Sequence, residues 1–460
     1  MLFRSEVVPL DDISTKDLRR VVIAAAVGNV IEWYDFYIFG SLAALLSVKF
    51  FAAGAAGSAL IKTVGTFTAG FLIRPFGAFV FGRVGDIVGR KYTFLITLSG
   101  MGLATALIGL VPSYAQIGAA AGIILLFLRL IQGLCLGGEY GGAITYVAEH
   151  APDHKRGYYT GWLQTSPTLG IVVSLVVIIV TREVLGTEAF NAWGWRIPFL
   201  LSLLMVAIAI YIRLQLQETP IFQAIKAKGQ TSTNPWREAF WSQNIRYVLV
   251  ASIVVIGEGV VWYSGQFWAL YFLQQIRKPD VLTPAVITGI ALLIATPTLI
   301  FFGWLSDKIG RKPIILAGFA LAALTYYPLY TALGNAADPA NTNYPLAILI
   351  VAIMVSYVGM VYGPIGAFLA EYFPARIRYS SVSVPYHIGN GWGGGLVPVI
   401  TTAAYVTAQT AGLSMSQSLG HALVYPIAVP AVAFLLSLFL MPETRKISIW
   451  KPEEVGAARV

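Results

Sequence analysis

The chain has 460 residues, 57% of them hydrophobic and only 12% charged, with a mean hydropathy of +0.72. A water-soluble domain carries about a quarter charged residues, so this composition excludes a soluble fold and points to helices bathed in hydrocarbon. The net charge of +9 raises nucleic acid as a partner, a reading that the placement of the charges removes below.

The first twenty residues are polar and carry both signs, and the first apolar run contains Glu32 and Asp35, so no cleavable signal peptide is expected. Stretches near the ~20 apolar residues that a helix needs to cross a bilayer follow at 19–48, 59–82, 92–111, 116–146, 158–182, 195–215, 246–275, 283–305, 313–333, 344–370, 380–408 and 420–440. The first, fourth, seventh and eleventh are long and hold Gly or polar residues, so tilting or kinking is expected there. The 45 Gly and 23 Pro suit membrane helices, where both are tolerated. The polar segment 216–245 splits the runs six and six. The expected fold is an all-α membrane protein of twelve transmembrane helices in two six-helix bundles, 1–215 and 246–445, with a linker at 216–245 and a tail at 446–460.

With the N-terminus placed inside, twenty-three of the 31 Lys and Arg fall on inner segments and five on outer loops. That asymmetry expects both termini in the cytoplasm of a cell inner (plasma) membrane protein, and it explains the basic charge without nucleic acid. Arg74, Arg129 and Arg196 remain within spans. The halves repeat: GRVGDIVGRK at 82–91 answers GWLSDKIGRK at 303–312, AEHAPDHKR at 148–156 answers AEYFPARIR at 370–378, and Glu218-Thr219 answers Glu443-Thr444. Cys135 is the only cysteine, which excludes an internal disulfide framework. Only His150 and His154 among the four His approach metal-site spacing, and they lie in a charged loop, so no metal site is expected. No nucleotide fingerprint or catalytic triad appears, so neither a cofactor nor enzyme chemistry is expected.

The D-x-x-G-R-K loops, the paired A-E-x-x-P-x-x-x-R loops and the Glu-Thr ends resemble the major facilitator superfamily. GNVIEWYDFYIFG at 28–40, RPFGAFVFGRVGD at 74–86, RLIQGLCLGGEYGG at 129–142 and WGWRIPF at 193–199 are similar to the metabolite:proton symporter family within it. The resemblance implies the major facilitator fold and proton-coupled transport of a small metabolite, with members carrying 2-oxoglutarate, citrate or shikimate and one branch carrying proline and betaine. These strings do not select a branch.

A charge near the bilayer midplane costs about 2.5–3.5 kcal/mol on insertion scales, so the intramembrane charges are the functional candidates. Glu32 and Asp35 are three residues apart and share a helical face. A carboxylate in a low-dielectric site holds its proton tightly, and a nearby guanidinium loosens it. Arg129 opposite Asp35 therefore has the makings of a proton switch, and the resemblance places both at positions that pair for proton coupling in related sugar symporters. Asp35 is the expected proton carrier. A permanent structural ion pair and Glu32 are the alternatives. Glu139, among glycines, is either a packing seam or a proton relay.

Arg74 suits a carboxylate, because a guanidinium offers two parallel N–H bonds to two oxygens. The resemblance makes Arg74 and Arg196 candidate anion ligands, although Arg196 equally reads as an interfacial or helix-capping charge. Tyr34, Glu258, Trp262, Tyr263, Tyr386, His387 and Asn390 complete the candidate substrate site. Aromatic faces there could hold a quaternary ammonium, line a pocket for an aromatic acid or simply face lipid. Asp86, Arg90, Asp307, Arg311, Glu149, Arg156, Glu371 and Arg378 are expected to gate the two access states as a network of helix-end charges. The expected function is proton-coupled symport of a small organic acid anion by alternating access, with the bilayer, the substrate and protons as partners and the monomer as the working unit. A zwitterionic osmolyte is the alternative substrate, and a passive uniporter or a non-transporting membrane sensor is the alternative activity.

Overall fold

The computed structural model describes residues 15–52, 58–87, 90–214, 245–277 and 282–449, with 223, 237 and 238 from the linker. The rest of the 216–245 linker, the tail beyond 449 and the side chains of Asp86 and Arg90 lie outside the described residues. Every regular element among the described residues is helical.

Span 1 is Thr15–Ser41. Span 2 runs over 58–87 as two helices meeting at Ile73, and span 3 is Arg90–Leu110. Span 4 joins Ala120–Gly137 to Tyr140–His150. Span 5 is Arg156–Leu185 and span 6 ends with Ser202–Leu214. Span 7 runs over 245–276, span 8 is Leu282–Ile309 and span 9 is Arg311–Ala336. Span 10 joins Tyr344–Tyr362 to Ile365–Tyr372. Span 11 runs over 378–410, and span 12 pairs Met415–Ala422 with Val424–Leu440 across a 41° bend. Nine of these are long and apolar enough to cross a membrane by composition alone, and the bent pair makes a tenth. The other two crossings are span 3, whose apolar part Leu95–Leu110 is short, and span 11, whose first turns are polar.

The first run, 19–48, kinks as its length implies. Span 1 ends at Ser41, Leu42 departs from helical angles (φ −96°, ψ 9°), and a short helix Ala43–Phe50 follows. A hydropathy run sees apolar composition and not the backbone turn. The other long runs break as expected, each at its own device. Span 4 breaks at Gly138 and Glu139. Span 7 widens into a π turn at Ser264–Trp268. Span 11 does so at Ile388–Gly393, then tightens over Gly394–Leu396. Such local irregularities bend helices and cluster at functional sites.

The molecule is apolar outside and keeps its intramembrane charges within an otherwise apolar core. Phe439, Val184 and Leu324 are 81%, 78% and 76% exposed, whereas Glu32, Asp35, Arg74, Arg129, Glu258 and His387 are fully buried. Hydrocarbon as solvent accounts for both halves of that pattern, since apolar side chains lose nothing there and charges must find partners inside. Small residues bring the buried helices together. A Cβ on Gly133 would strike the carbonyl of Gly70, and one on Gly137 the carbonyl of Arg74, so spans 2 and 4 touch backbone to backbone. That contact fixes Arg74 and Arg129 on facing helices.

Candidate functional site: a buried polar seam between the bundles

Residues four apart on a helix share a face, and span 1 turns Trp33 and Tyr37 toward the second bundle. Trp33 stacks on Tyr37 at 4.9 Å, and Tyr37 stacks on Trp262 of span 7 at 5.6 Å. Tyr263 and Phe267 close around Tyr37 and Trp262. Tyr34 points the other way: its hydroxyl donates to the Pro198 carbonyl of span 6 at 2.5 Å. The structure therefore places Tyr34 inside the first bundle, while Trp33 and Tyr37, not singled out from the sequence, reach the seam. Their spacing in GNVIEWYDFYIFG was the available signal.

Arg74 starts the second helix of span 2 and lies fully buried among these rings, with its guanidinium carbon 5.3 Å from the Trp33 ring centre and 5.9 Å from that of Tyr386. Its Nε donates to His387 Nδ1 at 3.2 Å and its Nη1 to the Tyr263 hydroxyl at 3.5 Å. Both acceptors belong to the second bundle. Its Nη2, the indole N–H groups of Trp33 and Trp262 and the second His387 nitrogen have no hydrogen-bond partner among the described residues. Unmet donors collected in one buried place suit a ligand rich in acceptors.

Glu258 faces the same place from span 7, within electrostatic reach of Arg74 and Tyr386. Its Oε2 accepts from Asn390 Nδ2 at 2.8 Å, across the two π-containing helices. Its Oε1 accepts nothing among the described residues. Below it, Tyr386 stacks on Tyr140 of span 4 and shares a 2.9 Å hydroxyl contact with Tyr362. Gln164 of span 5 donates to the Tyr140 hydroxyl at 2.9 Å and the Tyr362 carbonyl at 3.0 Å. Tyr140 lies in the quoted string at 129–142 without being singled out, and Gln164 and Tyr362 carried no sequence signal, because their contacts join residues that are far apart in the chain.

Asp35 and Arg129 lie near one another without an ion pair. Arg129 Nη1 donates to the Phe36 carbonyl at 3.1 Å and to Gln132 Oε1 at 2.6 Å, and its guanidinium carbon lies 4.1 Å from the Phe36 ring centre and 4.7 Å from that of Phe39. Gln132 Nε2 then donates to the main-chain carbonyl of Asp35 at 3.3 Å. The carboxylate oxygens of Asp35 are buried and accept no hydrogen bond among the described residues. Glu32 is buried one turn away, and Glu139 is buried at the break in span 4. Arg196 is not part of the seam. Its Nη1 donates to the carbonyls of Gly109 and Val111 at 2.7 and 2.8 Å, closing the end of span 3, and its guanidinium lies over Trp195.

The duplicated loops meet at one end of the bundles, with their partners crossed. Glu149 of the first loop bonds Arg378 of the second at 2.9 Å, and Glu371 of the second bonds Arg156 of the first at 2.9 Å. Arg311 adds bonds to Glu371 at 3.0 Å and Asp307 at 2.7 Å. Asp307 accepts from the Gly157 and Tyr158 main-chain N–H groups at 2.9 and 2.8 Å, capping span 5 from the opposite bundle. All these charges are essentially buried. At the other end the Tyr271 hydroxyl donates to the Gly40 carbonyl at 3.3 Å, and Phe67 packs on Phe267. Contacts thus join the bundles on both sides of the Arg74 cluster.

The sequence profile of the "Sugar (and other) transporter" family matches residues 21–235 and again 223–455, once per half. The chain is 32% identical over 455 residues to the glycine betaine/proline/ectoine/pipecolic acid transporter OusA of Dickeya dadantii, covering 96% of this chain and 87% of that one. It is likewise 32% identical over 445 residues to the alpha-ketoglutarate permease of Escherichia coli, covering 93% and 95%. Among solved structures, the major facilitator superfamily proton:xylose symporter XylE superposes with a TM-score of 0.74 at 16% identity, over 96% of this chain and 98% of that one. The chain belongs to the sugar (and other) transporter family and is a multi-pass membrane transporter of the major facilitator fold.

Proposed function

We propose that the protein is a proton-coupled symporter that carries a small organic acid anion by alternating access, from a single site around Arg74 between its two halves. The observation that carries the reading is the buried Arg74 guanidinium, ringed by aromatic faces and unmet N–H donors. A carboxylate meets such a set with two oxygens and four lone-pair directions. The resemblance to the alpha-ketoglutarate permease supports the same reading. The crossed charge network is then the cytoplasmic gate, both termini lie in the cytoplasm of the cell inner membrane, and each single chain holds a complete site.

Asp35 is the proton carrier in this scheme. An unpaired carboxylate is costly in a dry interior, so the closed arrangement, with Arg129 turned to Phe36 and Gln132, is the one in which Asp35 bears its proton. Proton release follows when rocking returns Arg129 to it. The test uses purified protein in proteoliposomes with an acidic exterior. Wild type accumulates 2-oxoglutarate above equilibrium, and Asp35→Asn loses that accumulation while still exchanging external for internal substrate. Accumulation by the variant at the wild-type level would remove Asp35 from the role.

One feature favours a second substrate reading. Glu258 stands across the cluster from Arg74, and Trp262 lies one turn beyond it on the same face. Together they suit the cationic end of a zwitterion whose carboxylate lies on Arg74, in line with the betaine and proline relative. Accumulation of glycine betaine but of no organic acid would decide for it.

A further inference from the structure

The bond between Arg74 and His387 joins the bundles through an arginine whose two protein acceptors both come from the other half. Arginine Nε always carries its hydrogen, so His387 Nδ1 faces it with a lone pair, and the neutral ring keeps its own N–H on Nε2. The ring is fully buried. It follows Pro385 in span 11, immediately before the π turn. It is therefore presented to Arg74 by a helix that is distorted at that place, with the glycine seam behind it: a Cβ on Gly389 would lie 2.5 Å from the Val255 main chain of span 7.

We infer that His387 is a stand-in for the substrate, a neutral protein acceptor that occupies Arg74 so that the carrier can close and reorient with nothing bound. The inference rests on the reading of Arg74 as the ligand of a substrate carboxylate. The physical problem is general. A symporter that accumulates its substrate must return empty through a closed state, and in that state a buried guanidinium without acceptors is expensive. A carboxylate from the protein would hold Arg74 too firmly to yield it to a substrate carboxylate. A neutral imidazole nitrogen gives a hydrogen bond without a full countercharge, so an anion displaces it readily. Glu258, the nearest carboxylate on span 7, is engaged by Asn390 and makes no bond to Arg74. The Tyr263 hydroxyl is a second neutral acceptor, at the longer distance of 3.5 Å.

The inference separates two half-cycles that a purely structural role would not separate. Exchange of external for internal substrate uses only the loaded carrier, in which the substrate serves Arg74. Net flux also needs the empty return, in which His387 serves it. His387→Leu removes the acceptor, whereas His387→Gln keeps one in its side-chain amide oxygen. The experiment uses the full chain in proteoliposomes at equal pH on both sides, with labelled 2-oxoglutarate and glycine betaine as probes. Exchange and downhill efflux into substrate-free buffer are measured in parallel.

For whichever probe wild type carries, His387→Leu is expected to lower efflux at least tenfold more than it lowers exchange, and His387→Gln to restore efflux. His387→Phe, which fills the ring's volume without an acceptor, is to behave as the leucine variant and replaces it should that protein not be recovered. Efflux unchanged in the variants that lack an acceptor overturns the inference. So does an equal loss of exchange and efflux, which would make His387 an ordinary substrate ligand. Exchange of betaine alone by wild type would end the organic-acid reading and leave this one standing, because both probes carry a carboxylate. Exchange of neither probe would end both.

Discussion

The sequence leaves three arginines, Arg74, Arg129 and Arg196, away from the loops, and each meets the cost of burial differently. Arg129 is held by aromatic faces, one carbonyl and one amide. Arg196 is spent on two carbonyls at the end of span 3. Of the three, Arg74 alone bonds the opposite bundle, and like Arg129 it keeps a terminal nitrogen unmet among the described residues. A planar fork that binds two oxygens at once is not replaced by a point charge, so Arg74→Lys is expected to keep the charge and lose one charged hydrogen bond. Such a bond contributes about 1.5–3 kcal/mol, which is roughly a ten- to hundredfold rise in KM. Uptake kinetics check it, with a KM within twofold of wild type as the outcome that takes Arg74 out of the substrate site. The sequence marked all three arginines, because intramembrane charge is conspicuous at any position. It could not rank them, since the groups that satisfy each one lie up to 313 residues away. The same holds for Tyr34 against Trp33 and Tyr37: the string was visible, but which side of the helix meets the other bundle is set by packing partners far along the chain.

At the scale of elements, hydropathy and repeat spacing were enough to place twelve crossings and to mark the first, fourth, seventh and eleventh as irregular. They did not supply the form of each irregularity. A Gly-Glu break, a π turn and a π turn followed by a tight turn all look like glycine and polar residues in a long apolar run. The energetic role of individual glycines was equally hidden. Gly133 and Gly65 both interrupt helices of the first bundle, but a Cβ on Gly133 would enter the Gly70 carbonyl, whereas nothing lies within 4 Å of one on Gly65. Overpacking of a seam that cannot yield costs about 1–3 kcal/mol or more. Gly133→Ala is therefore expected to lower the Tm of the purified protein by several degrees and to disturb Arg74 and Arg129 together. Gly65→Ala is expected to leave it unchanged or slightly raised, because alanine is the better helix former. Differential scanning measurements in one detergent decide, and equal behaviour of the two variants would mean that the span 2 to span 4 seam is not close-packed.

At the scale of the whole molecule, the crossed loops tie the two copies of an internal duplication together, and in the proposed transport cycle that tie is the latch. A duplicated Glu and Arg could each have stayed within its own half, and the sequence reading left their partners open. The structure instead exchanges them, so the network at this end draws one acid and one base from each half. Glu371 is the hub: its two oxygens accept Arg156 from the first bundle, Arg311 from the second and the Thr444 hydroxyl. Removing one member of a buried pair costs about 3–5 kcal/mol, because the guanidiniums it served stay behind in a dry place. Opening this end gives them water, so Glu371→Gln should favour the open arrangement and not merely loosen the fold. A two-state equilibrium shifted by about 1.4 kcal/mol already changes tenfold. The lone native cysteine makes the shift measurable. With Cys135→Ser as background, a cysteine at Thr160, fully buried against Gly366 of span 10, reports whether the end is open. Maleimide should label it at least ten times faster when Glu371 is Gln. Glu443→Gln is the control, because Glu443 caps Arg311 and Lys312 at the start of span 9 inside one bundle. Its loss should lower Tm and leave the labelling rate alone. If both variants label at the wild-type rate, the crossed charges hold helix ends in place without governing access; if both label faster, the effect is general loosening and the latch is not specific to the pairs that cross between halves.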